Sequence, residues 1–182
     1  MISRKLTDLI RSNTGNLTQE WVKRVKQSPN MKAYGKLSEQ ELAKRNRRFF
    51  ENLVQWLDEG ASHGSIKTYF TRIGRERFHE PIPLEEVNFS IIIAKKVLWD
   101  FILSENLLSS ALEIYQALEM LTMIYNFFDF GFLHIGREYY EELYDTLDKL
   151  PNVNAAEVLP ARAGISDKEL ESLFGIRLKM KT

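Results

Sequence analysis

Apolar residues recur at helical spacing through most of this chain, and short clusters of proline, glycine and asparagine interrupt the recurrence. Residues 2–26 form a first helical region, with a break expected at Asn13-Thr14-Gly15-Asn16. Pro29 to Gly35 reads as a loop. Residues 38–58 carry Leu42, Phe49, Leu53, Trp56 and Leu57 on an approximately helical period, and Gly60 supplies the stop. A shorter helix over residues 65–78 ends before Pro81-Ile82-Pro83. Pro83 suits the first turn of the next helix, where its missing N–H costs nothing. In that helix, residues 84–105, Leu84, Val87, Ile91, Ala94, Leu98 and Phe101 make a core-facing stripe. Ile92, Ile93, Val97 and Ile102 extend the apolar surface around most of its circumference, which predicts a central place in the fold. Ser38 with Glu41, Ser110 with Glu113 and Ser166 with Glu169 each fit a capping box.

The last long element spans residues 110–150 and contains no proline. If continuous it is ~60 Å long at the standard rise per residue, with Gly131 and Gly136 as candidate bend points. Its apolar seam steps by four and three: Ile114, Leu118, Leu121, Tyr125, Phe128, Phe132, Ile135 and Tyr139. Leu143, Leu147 and Leu150 continue it after one slipped step. Such spacing packs helix on helix, either inside one core or across a dimer. The second half, EYYEELYDTLDKL, is more polar and is a candidate to project from the domain. The stretch from Pro151 to Arg162 reads as a linker, with Pro160 and Gly164 as breakers, and a short helix over residues 166–174 precedes a basic end with Arg177, Lys179 and Lys181. The pattern predicts an all-α protein: a single helical bundle over residues 1–150, then a linker and short tail helix over residues 151–182.

Composition sets the outer limits. The chain has 182 residues, enough for one well-packed domain, with 44% hydrophobic and 27% charged residues, a globular balance. It has no cysteine, which removes disulfides, thiolate nucleophiles and Cys-based metal sites, and fits a reducing, cytoplasmic setting. No apolar run reaches the ~20 residues of a membrane span, so no membrane partner is expected. Net charge is zero, yet residues 1–50 carry twelve basic against four acidic side chains. Residues 100–150 reverse this with two against ten. The basic excess includes Lys44, Arg45, Arg47 and Arg48, which read as the solvated face of an amphipathic helix, so no nucleic-acid partner is expected.

Candidate chemistry is sparse. The three histidines, His63, His79 and His134, are isolated from one another in sequence, and Glu76-Arg77-Phe78-His79 is a single Glu-x-x-His, short of the pair a di-iron site needs. His134 sits in the aromatic stretch Tyr125–Tyr140 and is the one plausible haem ligand, against the plainer reading of a buried, hydrogen-bonded histidine. Gly-x-Ser-x-Gly, Gly-x-Gly-x-x-Gly and the P-loop pattern are absent. Adjacent carboxylates such as Glu85-Glu86 and Glu141-Glu142 suit exposed helix faces. Arg72, Arg75, Arg77 and His79 form a cationic cluster able to hold an anion bidentately, or to pair with Glu85, Glu86 or a carboxylate of the long helix. Trp99 is a candidate pocket lining or a core tryptophan.

Gly74-Arg75-Glu76-Arg77, then Pro83-Leu84-Glu85-Glu86-Val87, then Val97-Leu98-Trp99 resemble the N-terminal domain of RsbRD-type co-antagonists, sensory modules of bacterial stress signalling. The resemblance covers about residues 6–150, and Gly74, Arg75, Arg77, Pro83, Leu84, Leu98 and Trp99 match its motif. It implies an all-helical, globin-like domain without haem that dimerises through helices leading to an output domain, and it transfers no catalytic residue. Only a linker and a short helix follow the long helix here, so the expectation is a module without its own output domain. The combined expectation is a non-enzymatic regulatory or sensor module, a homodimer with a further protein partner and no cofactor. The candidate ligand residues are Arg75, Arg77, Trp99 and His134. The seam Leu121, Tyr125, Phe128, Phe132, Ile135, Tyr139, Leu143 and Leu147 serves as core or dimer contact. The alternative is a haem- or small-ligand-binding protein using His134 and the aromatic stretch around it.

Overall fold

The computed structural model of the chain describes residues 2–105 and 111–174. These are helical, with no strand among the described residues. The helices are α1 (Ile2–Gln27), α2 (Lys32–Gly35), α3 (Glu39–Asp58), α4 (His63–His79), α5 (Leu84–Ser104), α6 (Ala111–Asp148), α7 (Ala155–Val158) and α8 (Asp167–Phe174). They fall into two compact units, Met1–Tyr139 and Tyr140–Thr182, and α6 contributes to both.

In the first unit, α1 packs on α3 and α5. The expected break at Asn13–Asn16 does not occur. Leu6, Ile10, Leu17, Trp21 and Val25 are buried on both sides of it. Thr14 Oγ1 and Asn13 Nδ2 donate to the carbonyls of Ile10 and Leu9, each at 3.0 Å, so these side chains are satisfied without leaving the helix. The expected loop before α3 likewise contains the one-turn helix α2. Glu86 of α5 holds it, accepting the Ala33 N–H at 2.9 Å and the Tyr34 N–H at 3.1 Å. A carboxylate on two free N–H groups at a helix start is favourable for charge and geometry alike.

Helix α3 starts at Ser38, whose hydroxyl accepts the Glu41 N–H at 3.1 Å. It ends as its glycine foretold: Gly60 has φ +81°, Ala61 N–H reaches Trp56 O at 2.9 Å, and Gly60 N–H reaches Leu57 O. That is the paired closure of a left-handed helix end. Pro83 sits one place before α5, at its N-cap, rather than inside the first turn. Of the expected α5 stripe, Val87, Ile91, Ala94 and Leu98 are buried, joined by Ile93 and Val97. Ile92 is instead exposed, so α5 keeps one outward apolar face.

The core is aromatic. Phe49 lies between 5.3 and 6.2 Å, centroid to centroid, from the rings of Phe50, Phe70, Phe127 and Phe128. Phe50, Phe70, Phe127 and Phe128 are fully buried. Helix α6 is unbroken through Gly131 and Gly136. Its buried stripe is Ala117, Met120, Ile124, Phe127, Gly131, His134 and Glu138, with Phe128 and Ile135 on the adjoining row. Of the seam read from spacing, Phe128 and Ile135 are therefore core. Leu121, Phe132, Tyr139 and Leu147 are half-buried, and Tyr125 and Leu143 are exposed.

In the second unit the residues after Pro151 fold back instead of running free. Tyr140 OH donates to Pro160 O. The Arg162 guanidinium lies 4.3 Å above the Tyr144 ring and pairs with Glu141 at 3.0 Å. Before α8, Ser166 and Glu169 form the reciprocal capping box, with bonds of 2.7 and 3.2 Å. Ser110 and the Glu113 side chain of the expected capping box, and the basic residues Arg177, Lys179 and Lys181, lie outside what is described of the chain.

Candidate functional site

The four candidate ligand residues do not converge. Arg75 Nη2 pairs with Glu138 Oε1 of α6 at 2.6 Å, so its partner is a carboxylate of the long helix. Trp99 is half-buried and rests against Tyr125, with centroids 6.1 Å apart. His134 is 1% exposed, and its Nε2 faces His63 Nε2 at 3.2 Å. Phe130 stacks on the His134 ring at 6.0 Å and meets His63 at 4.9 Å. Two histidines 71 positions apart in sequence thus share one hydrogen bond. The 3.2 Å spacing is that of a hydrogen bond, with one ring donating. Among the described residues no group of three or more His, Cys, Asp or Glu is placed to hold a metal ion.

Arg77 is different. It is 8% exposed, and it lines a cavity of about 50 Å³ bounded by α1 through α6. The floor is apolar, with Phe49, Phe70, Ile73, Val87 and Ile91. Its polar wall holds Arg45, Asn46, Arg77, Tyr34, Tyr69 and Ser90. Two features of that wall stand out chemically. Asn46 is 3% exposed, and its Oδ1 has no hydrogen-bond partner. Burial pushes the Tyr69 phenol up, so its hydroxyl stays neutral and able to donate.

A second cavity of about 110 Å³ adjoins the first and shares Arg45, Tyr69, Ile73 and Arg77 with it. Lys44, Arg48 and Arg72 bring its basic residues to five, against Glu41, Glu76 and Glu80. Glu80 is the hub: Arg45 grips it with bonds of 2.7 and 3.0 Å, and Arg77 Nη1 reaches it at 3.1 Å. Arg45 also holds Glu41 at 2.8 Å. This network ties the C-terminal end of α4 to α3. Arg72 pairs locally with Glu76 at 3.5 Å.

The sequence reading missed Arg45, Asn46, Tyr69 and Glu80. One signal was available for Asn46. It falls on the apolar stripe Leu42, Asn46, Phe49, Leu53 of α3, where a polar side chain is out of place unless something meets it. Arg77 likewise continues the buried line Ile66, Phe70, Gly74.

No curated protein and no solved structure matches the chain. No helix among the described residues is long and apolar enough to cross a membrane. Residues 15–142, which include Gly74, Arg75, Arg77, Pro83, Leu84, Leu98 and Trp99, match the family model of the RsbT co-antagonist protein rsbRD N-terminal domain, and the chain belongs to that family of stress-signalling regulatory domains.

Proposed function

We propose that this chain is a non-enzymatic regulatory module that works by protein–protein contact, as a homodimer joined through the N-terminal half of α6. One observation carries this reading. Ile114, Leu118 and Tyr125, three of the first four members of the four–three seam, are 46%, 57% and 39% exposed, and Leu121 between them is half-buried. Large apolar side chains in a helical row on the outside of a domain are costly in water and mark a contact surface. A heptad-type row is also complementary to a second copy of itself, which is how two identical helices pair. Tyr125 is held in place for such a contact by Trp99 and by Lys95 Nζ, 4.2 Å from its ring centre.

Sedimentation equilibrium of the wild type and of Leu118→Glu tests this. The expected result is a dimer that becomes a folded monomer in the variant, with helical circular dichroism unchanged. A monomeric wild type, or a variant that dimerises as well as the wild type, removes the reading. The haem alternative draws no support from His134, whose ring nitrogen is engaged by His63.

A further inference from the structure

We propose that the two adjoining cavities between α3, α4 and α5 bind a short-chain organic monocarboxylate, with its carboxylate on Arg77 and its alkyl end against Phe70, Ile73 and Ile91. The inference is independent of the dimer reading, since Ile114, Leu118 and Tyr125 line neither cavity.

Three observations carry it. The first is the buried guanidinium. Both ion pairs of Arg77, to Glu80 at 3.1 Å and Glu76 at 3.7 Å, run through Nη1. A guanidinium has five N–H donors, and a planar carboxylate is the acceptor that matches its fork. The second is the orphaned Asn46 Oδ1, a buried acceptor lining the same chamber. A buried polar atom without a partner is costly, and a water carried in with the carboxylate relieves it. The third is the amphipathic layout: a net-basic outer chamber opens on an inner one floored by Phe49, Phe70, Ile73, Val87 and Ile91. Anions are drawn to the first, and only those with an apolar tail gain from the second.

Size decides the class. The apolar inner chamber, about 50 Å³, is well short of the ~150 Å³ of an apolar cavity that takes benzene, and the outer chamber of about 110 Å³ is polar. A chain of a few carbons fits the inner chamber, and a long-chain fatty acid does not.

The test is an NMR titration of the wild-type chain with sodium butyrate, beside acetate, octanoate and 1-butanol at constant ionic strength. The expected result is saturable shifts in the Asn46 side-chain amide and the Tyr69 and Phe70 rings, with butyrate binding in the millimolar range. Acetate lacks the tail, octanoate exceeds the chamber and 1-butanol lacks the charge, so each binds at least about tenfold more weakly, the factor that 1.4 kcal/mol supplies. Absence of saturable shifts at these residues overturns the proposal. Acetate as tight as butyrate overturns the apolar seat, and butanol as tight as butyrate overturns the role of Arg77. A folded Ala94→Ile, which fills the inner chamber and leaves the ion pairs intact, loses butyrate binding; retained binding places the ligand elsewhere and also overturns it.

Discussion

Gly74 and Ile135 meet backbone to backbone: a Cβ on Gly74 would stand 3.2 Å from both the Cα and the carbonyl oxygen of Ile135. The Glu138 Cβ would be closer still, at 2.8 Å. The glycine of the Gly-Arg-x-Arg segment is thus what lets α4 lie against α6. The next residue, Arg75, then reaches Glu138. Gly74→Ala should destabilise the fold by about 1–3 kcal/mol, the usual cost of overpacking, because backbone cannot give way as a side-chain tip can. Chemical denaturation of both forms measures it, and equal midpoints would show that the helices separate freely. Gly136→Ala, which meets nothing within 4 Å, is the control and should be neutral or slightly stabilising.

The Pro81-Ile82-Pro83 segment is pinned rather than loose. Ile82 is buried, its N–H bonds Arg77 O at 3.1 Å, and its carbonyl accepts the Tyr139 hydroxyl at 2.7 Å. Tyr139→Phe keeps the ring against Phe78 and deletes the one hydroxyl. It should cost about 1–2 kcal/mol, since the Ile82 carbonyl is left without its partner. Faster exchange of the Ile82 amide accompanies the loss, and unchanged exchange would show that Tyr139 does not hold the turn.

Two seam residues four apart should behave differently. Phe128 is fully buried among Phe49 and Phe127, whereas Phe132 is half-buried. Phe128→Ala should cost about 3–5 kcal/mol through the cavity it leaves, and Phe132→Ala less than half of that. Thermal unfolding of the two variants, side by side, decides it. Equal losses would mean that both face the core.

Acid sensitivity follows from Asp100. Lys96 first, and Arg24 at 3.1 Å second, hold its carboxyl below the ordinary value of 3.8. A carboxylate with a depressed folded pKa contributes stability that is present above the unfolded pKa. That contribution is lost as pH falls through the lower folded one. Stability should therefore change little between neutral pH and about pH 5, then drop below about pH 4, where carboxylates protonate. Asp100→Asn should reduce the size of that drop. The pair is partly exposed, so the effect is small and weakens with salt. A drop of the same size in the variant would place the acid-labile group elsewhere.

The histidine pair makes a final prediction. His134→Leu keeps the volume near Phe130 and removes the bond to His63. It should cost about 1 kcal/mol, because half-buried His63 loses a partner that water replaces only in part. The double variant His63→Leu/His134→Leu should recover part of this, as removal of both partners of a buried bond is milder than removal of one. A double variant less stable than the sum of the two single losses would show that the pair is not the coupled element.

The helices, their order and much of their capping follow from local chemistry, so they were legible in the residues. Gly60 at a left-handed helix end, Ser38 and Ser166 at helix starts, and the Val87–Ile91–Ala94–Leu98 stripe each act within a few positions of the chain. The motif residues from Gly74 to Trp99 fall within the span that matches the family. Where local and tertiary preferences conflicted, tertiary burial prevailed. Asn13-Thr14-Gly15-Asn16 stays helical because Ile10 and Leu17 on either side are buried, and the turn before α3 becomes helical because Glu86 reaches it from more than fifty positions away. The row of α6 that faces inward is shifted from the four–three seam, since an apolar period tells how helices pack but not which neighbour each row meets. The meeting of His63 with His134, and of Arg77 with Asn46 on one cavity, was decided only in the fold. Residues on different helices become partners through the packing of whole elements, and spacing along the chain carries no record of that.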